Sequence, residues 1–331
     1  FQRAELDCTQ CHIAAGTRGV PGVLLRSVYP SSSGTLVPGT KSFITDQESP
    51  WSERWGGWYV TGSWGAATHM GNATVNEGPS SEKAEPVASG AAHDASSAAP
   101  SEALNTANAT PLQPLAHPFD ASSYLVPDSD VVAHLVLAHQ TQMHNLITLT
   151  NYKTRLALYA QGGEAAVTSP TVPLSETARR QFEKPAEQLL RYLLFVNETP
   201  LPETNGRGVG AGSAFAEEFA ARGPRDSRGR SLRDLDLQTR IFRYPCSYLI
   251  YSDAFDALPE PAKGYVYHRL LQILTGADPS RDFRKLTAAE RQAILEILLE
   301  TKHDLPQEWR DYATSQHPRV ALTSAPNSTS Q

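Results

Sequence analysis

Cys8-Thr9-Gln10-Cys11-His12 is the stretch on which the reading of this chain turns. Two thiols three residues apart, with a histidine directly after the second, form the C-x-x-C-H pattern of covalent haem attachment. In that chemistry the thiols add across the two vinyl groups of the porphyrin, and the histidine binds the iron from the proximal side. Two intervening residues let one turn of chain present both sulfurs to one edge of the macrocycle and the imidazole to its centre. Two other chemistries share part of the pattern. A structural zinc site needs two further ligands, but the only other cysteine, Cys246, has no histidine close to it in sequence. A redox dithiol of the thioredoxin kind opens a helix after a hydrophobic strand, and Phe1 to Asp7 is too short and too polar for that. One covalent haem c is expected, attached through Cys8 and Cys11, with His12 as proximal ligand.

The residues after the motif fit a loop around the proximal side. Gly16, Gly19, Pro21 and Gly22 rule out a long helix. Pro21 and Gly22 are placed to offer the carbonyl that accepts the proximal imidazole's N–H, a bond that orients the ring and raises its basicity. Residues 26–50 carry turn signals and weak alternation, which predicts short strands or extended loop. Four of the five tryptophans then fall between Trp51 and Trp64. Trp55, Trp58 and Tyr59 are expected, with Pro21, to wall the haem pocket; an aromatic core cluster is the competing reading. Arg54 is a candidate partner for a haem propionate, against a surface ion pair.

The sixth position of the iron has several candidates. Met70 and His69 come first: Met70 lies 58 residues beyond His12. A methionine ligand would raise the potential and a second histidine would lower it. Secondary candidates, His139, Met143 and His144, lie on a helix expected from about Ser129 to Tyr159, capped by Asp128-Ser129-Asp130 and stopped by Gly162-Gly163. Core histidines bonded to their neighbours are the alternative there. That helix contains no glutamate, so it lacks the Glu-x-x-His pairs of a di-iron bundle.

Composition sets outer limits. The chain has 331 residues, a net charge of −6 and a mean hydropathy of −0.37. Mild acidity argues against nucleic acid or anionic lipid as a partner, and no apolar run is long enough to span a bilayer. Four regions are expected: a haem-binding region 1–72, an Ala/Ser/Pro-rich flexible insertion 73–118 containing His93 and His117, a helical domain 119–320 packing on the haem region, and a disordered tail 321–331. Within 119–320, helices are expected at 174–198 (kinked or broken at Pro185), 213–222, 261–275, 288–301 and 306–312. The glycine-rich run 205–213 reads as a loop, because no strand precedes it and no Gly-Lys-Ser follows. The arginines from Arg222 to Arg233 read as internal salt bridging, and Cys246 as a buried, inert thiol.

The chain resembles c-type cytochromes at Cys8, Cys11 and His12 and, more weakly, through Gly19-Val20-Pro21-Gly22. It is also similar to a group of large, exported bacterial mono-haem proteins through Arg54 to Gly62 (RWGGWYVTG), His69 to Asn72 (HMGN), Met143-His144-Asn145, and Tyr244 to Ser252 (YPCSYLIYS). The resemblance implies haem c, a further region before the motif and export to the periplasm or the cell exterior, since bacteria attach haem c outside the cytoplasm. It supplies no reaction. The fold class expected is mainly α, with an irregular, loop-rich haem-binding region: a cytochrome c-like N-terminal part plus a helical C-terminal region. Three functions stay open: electron transfer to a redox partner protein, alone or within a larger complex; a haem peroxidase-like enzyme with an open distal site; and a structural or interaction subunit braced by haem.

Overall fold

The computed structural model describes residues 7–31, 33–75, 121–168 and 174–316. Among these the chain is mainly α. Its helices are α1 (Asp7–His12), α2 (Val131–Thr168), α3 (Glu176–Leu193), α4 (Ala214–Ala221), α5 (Asp253–Asp256), α6 (Glu260–Thr275), α7 (Ala288–Thr301) and α8 (Gln307–Gln316). The sheet is a single antiparallel pair, β1 (Arg26–Ser27) with β2 (Phe43–Ile44), in which Arg26 faces Ile44. The expected insertion from residue 76 onward, with His93 and His117, and the tail 321–331 lie outside the described residues.

Helix boundaries follow local chemistry. The Asp130 carboxylate accepts the N–H groups of Val132 (2.7 Å) and Ala133 (3.2 Å) and so starts α2. At Gly162-Gly163 the helical path breaks, with Gly163 at φ +66°, and resumes for one short segment to Thr168. Ser175 caps α3 by accepting from Ala178 N. Thr287 and Glu290 form a reciprocal capping box on α7. Of the two outcomes expected at Pro185, a kink or a break, the break does not occur: the proline lies inside α3. A proline in a helix interior costs roughly 3 kcal/mol. Phe182, Leu189, Leu190 and Leu193 are buried on the same helix, at about 1.5–3 kcal/mol each, and the contact of α3 with α2 is the most extensive between any two helices described. Burial outweighs the lost backbone bond.

The irregular N-terminal part and the helices share one core. Trp51, Trp55, Val60 and Trp64 belong to the same buried cluster as Val131, Leu135 and Met143 of α2, Leu190 of α3, Leu270 of α6 and Ile294 of α7. Backbone bonds reinforce the junction: Thr61 N donates to Ser129 O (2.7 Å), and Val131 N donates to Thr61 O (2.9 Å). In the helical part Arg230 bridges Asp226 and Glu296, and Arg225 pairs with Asp234, so these arginines serve internal ion pairs. The glycine-rich run is a loop leading to Ser213, which caps α4. No helix of the described residues is long and apolar enough to cross a membrane.

Candidate haem-attachment site

α1 is a helical turn and a half that carries Cys8, Cys11 and His12, all three solvent-exposed. Positions i, i+3 and i+4 of a helix share one face, so this local structure brings the three side chains to one side. A single 3₁₀ turn follows at Ala15–Thr17, closed by Arg18 in the left-handed region at φ 60°. The chain then returns to α1 at Gly22. Gly22 N donates to His12 O (2.9 Å), and His12 Nδ1 lies 2.8 Å from Gly22 O. A carbonyl only accepts, so the proton of the neutral ring sits on Nδ1. His12 Nε2 keeps its lone pair and has no hydrogen-bond partner among the described residues.

This donor set fits a covalent haem in its chemistry. Two free thiols lie beside an imidazole whose remote nitrogen is a base. Among the described residues no group of three or more His, Cys, Asp or Glu side chains is arranged to hold a metal ion by itself. Cys246, the third thiol, is fully buried in the helical core, where desolvation raises its pKa.

The distal candidates sit in different surroundings. His69 is fully buried, with Trp55 and Trp64 edge-on at ring-centroid distances of 5.0 and 4.5 Å. Its Nδ1 accepts Gly71 N–H (3.0 Å), which puts the ring proton on Nε2, a buried atom without a partner. A nitrogen that bears a proton offers iron no lone pair. Burial, with His134 nearby as a lesser cause, pushes the His69 pKa down to about 4. Met70 is buried, its sulfur 3.6 Å from Ser27 Oγ. His139 is fully buried on α2. Its Nδ1 lies 2.6 Å from Gln47 Oε1, its Nε2 lies 2.7 Å from Ser247 Oγ, and it stacks on Tyr192 and Phe195. Desolvation holds its pKa down at about 3. Met143 is a fully buried core residue, and His144 is half-buried with its pKa lowered by desolvation.

The expected pocket wall divides in two. Trp55 is buried inside the protein, edge-on to Trp51 at 5.2 Å. Arg54 is also buried: its guanidinium donates to Ser49 O and Gln47 O and lies over Trp51. Desolvation lowers its pKa to about 10. Its Nε and Nη2 donate to backbone carbonyls and it lies away from solvent, so it braces the 47–54 loop. Trp58 and Pro21 are exposed and Tyr59 is half-buried; Trp58 Nε1 donates to Arg26 O (2.9 Å).

Sequence reasoning located the carbonyl in the Pro21-Gly22 pair, and the structure assigns it to Gly22. It gave no role to Asn145 of the Met143-His144-Asn145 stretch, which is buried on α2 and bonded to the loop after α1 at Val23. The available signal was an asparagine, a weak helix former, on the buried side of a long helix beside Leu146. It also missed Gln47, whose amide joins the N-terminal part to His139 and to Tyr192 O. No protein-family model, curated protein or solved structure matches this chain.

Proposed function

We propose that the chain is an exported mono-haem c-type cytochrome that carries electrons in the periplasm or outside the cell, alone or as the haem subunit of a redox assembly. One observation carries this reading: the 2.8 Å bond from His12 Nδ1 to Gly22 O, beside two exposed thiols on the same turn. When bound, haem supplies a one-electron cycle between ferric and ferrous iron. Cys8 and Cys11 would hold the porphyrin as thioethers, and His12 Nε2 would face the iron. The Gly22 carbonyl keeps the ring in one tautomer and raises its basicity, which favours the ferric state. An exposed attachment turn suits close approach of a redox partner protein. The mild net negative charge gives no reason to add nucleic acid or an anionic membrane.

A second reading, a haem peroxidase-like enzyme with an open distal position, is favoured by the state of the distal candidates. Both ring nitrogens of His69 and of His139 are committed or protonated, and Met70 and Met143 are buried. The visible spectrum of the reduced protein with and without carbon monoxide separates the two. An unchanged spectrum means an occupied sixth position and supports electron transfer; rapid carbon monoxide binding favours the enzyme. Colour fully extracted by acid–acetone would overturn both.

A further inference from the structure

The haem loop is not held by its own residues alone. Asn145 is buried on α2, and its side-chain amide pairs with the backbone of Val23 at two points: Nδ2 donates to Val23 O (2.8 Å), and Oδ1 accepts Val23 N–H (3.2 Å). The residue before, Gly22, makes its own two-point pair with His12. The two pairs are consecutive along the chain. The orientation of the Gly22 carbonyl, and with it the proton on His12 Nδ1, is therefore tied to a side chain 133 positions along the chain from His12. Gly22 fits this arrangement closely: a Cβ there would overlap Asn145 Oδ1. Gln142, one turn earlier on α2, supports the clamp: its Oε1 accepts from both Asn145 Nδ2 and Arg18 Nε, each at 3.3 Å.

We infer that Asn145 is a positioning residue for His12: by clamping Val23 it fixes the Gly22 carbonyl, which sets the tautomer of the imidazole and, once haem is attached, the electron density at its Nε2. The inference rests on the reading of His12 as the proximal ligand only for its consequence at the iron; the clamp itself is a property of the unloaded chain. It makes the helical part of the molecule a determinant of the redox site, acting through two backbone pairs.

The test uses the full chain in two forms. In the form produced without haem attachment, 15N NMR of the imidazoles reads the tautomer of each histidine. His12 is expected to carry its proton on Nδ1. Asn145→Ala and Gly22→Ala should each lower the Nδ1–H to Nε2–H ratio roughly 2- to 10-fold, the range for loss of one net hydrogen bond. Asn151→Ala, which removes a hydrogen bond from the same helix to Ala257 O (3.1 Å) and none from the clamp, should leave the ratio unchanged. The signals of His139, fixed by Gln47 and Ser247, report in the same spectrum whether the fold is intact. If Asn145→Ala disturbs them, Gly22→Ala decides, because it acts from the loop, pushing on Asn145 Oδ1 while every α2 residue is kept. In the haem-loaded form the midpoint potential should rise in both clamp variants and stay in Asn151→Ala, because a less basic ligand favours the ferrous state. An unchanged His12 tautomer in both clamp variants, with His139 intact, overturns the inference. Absence of covalent haem in the exported wild type overturns the proposed function instead, a separate result.

Discussion

His12 and His139 carry the ring proton on the same nitrogen, and they differ in what faces the other one. The Gly22 carbonyl fixes Nδ1–H in His12. In His139 the Gln47 oxygen does so, because the Gln47 NH₂ is taken by Tyr192 O. From there the two regions diverge. His12 sits on an exposed turn with Nε2 unbonded, whereas His139 lies at the centre of the protein with Nε2 accepting the Ser247 hydroxyl. A histidine becomes a ligand through an available lone pair held in a fixed direction. It becomes a structural knot when the same lone pair is spent on a neighbour. Burial sharpens the contrast, since full desolvation pushes His139 down to about 3, far below the range where a histidine exchanges protons near neutrality.

The most direct way to break the comparison is to remove the thiols. Cys8→Ala with Cys11→Ala should abolish covalent haem completely, read as haem absorbance on a denaturing gel. The junction is untouched, so urea unfolding of the haem-free chain should move by less than about 0.5 kcal/mol, as for exposed side chains elsewhere. The opposite exchange follows at His139. His139→Phe keeps the stacked ring but strands the Gln47 oxygen and the Ser247 hydroxyl; a loss of roughly 2–5 kcal/mol is expected in urea unfolding. Haem content per folded molecule should stay at the wild-type level, and a fall in that content would show that His139 serves the haem directly.

A smaller effect appears with pH. His69 and His139 have folded pKa values of about 4 and about 3, below the ordinary value of 6.5. Below about pH 6.5 the unfolded chain binds protons that the folded chain does not, so stability falls as pH falls toward 4. Each histidine contributes a slope approaching 1.4 kcal/mol per pH unit. Glu198 opposes this between about pH 4.5 and 7, because burial raises its pKa to about 7 and the folded state then holds the extra proton. Comparing wild type with His139→Phe from pH 7 to 5 cancels Glu198 and isolates His139. Equal slopes would mean that His139 titrates normally. The smallest change is expected at Pro21, which is exposed and does not supply the carbonyl that accepts from His12 Nδ1. Pro21→Ala should alter stability by no more than about 1 kcal/mol, through the unfolded state, with covalent haem and His12 tautomer retained.

Much of the helical half was legible from local signals. The Asp130 and Ser175 caps and the break at Gly162-Gly163 lie where the residues themselves call for them. That α3 continues through Pro185 was not legible, because the proline's local penalty is visible in the sequence and the packing of α3 on α2 is not. The tryptophan run was expected to wall a haem pocket, with an aromatic core cluster as the competing reading, and its direction was not legible. Trp55 and Trp64 turn inward on His69, and Gly56 lets the backbone pass close to Val28, where a Cβ would overlap its carbonyl. Arg54 illustrates the same gap, since nothing in RWGGW says whether a guanidinium meets solvent, a carboxylate or two buried carbonyls.

The sequence by itself determined the spacing of Cys8, Cys11 and His12, because side chains at i, i+3 and i+4 share one face wherever that stretch is helical. It also determined the mainly helical class, which follows from caps, stops and apolar spacing. Tertiary structure alone decided which histidine keeps an open nitrogen, since that depends on groups far away in the chain: Gly22 and, through Val23, Asn145 for His12, and Gln47 and Ser247 for His139. A hydrogen bond is decided within tenths of an ångström, and only the packed chain fixes positions that closely.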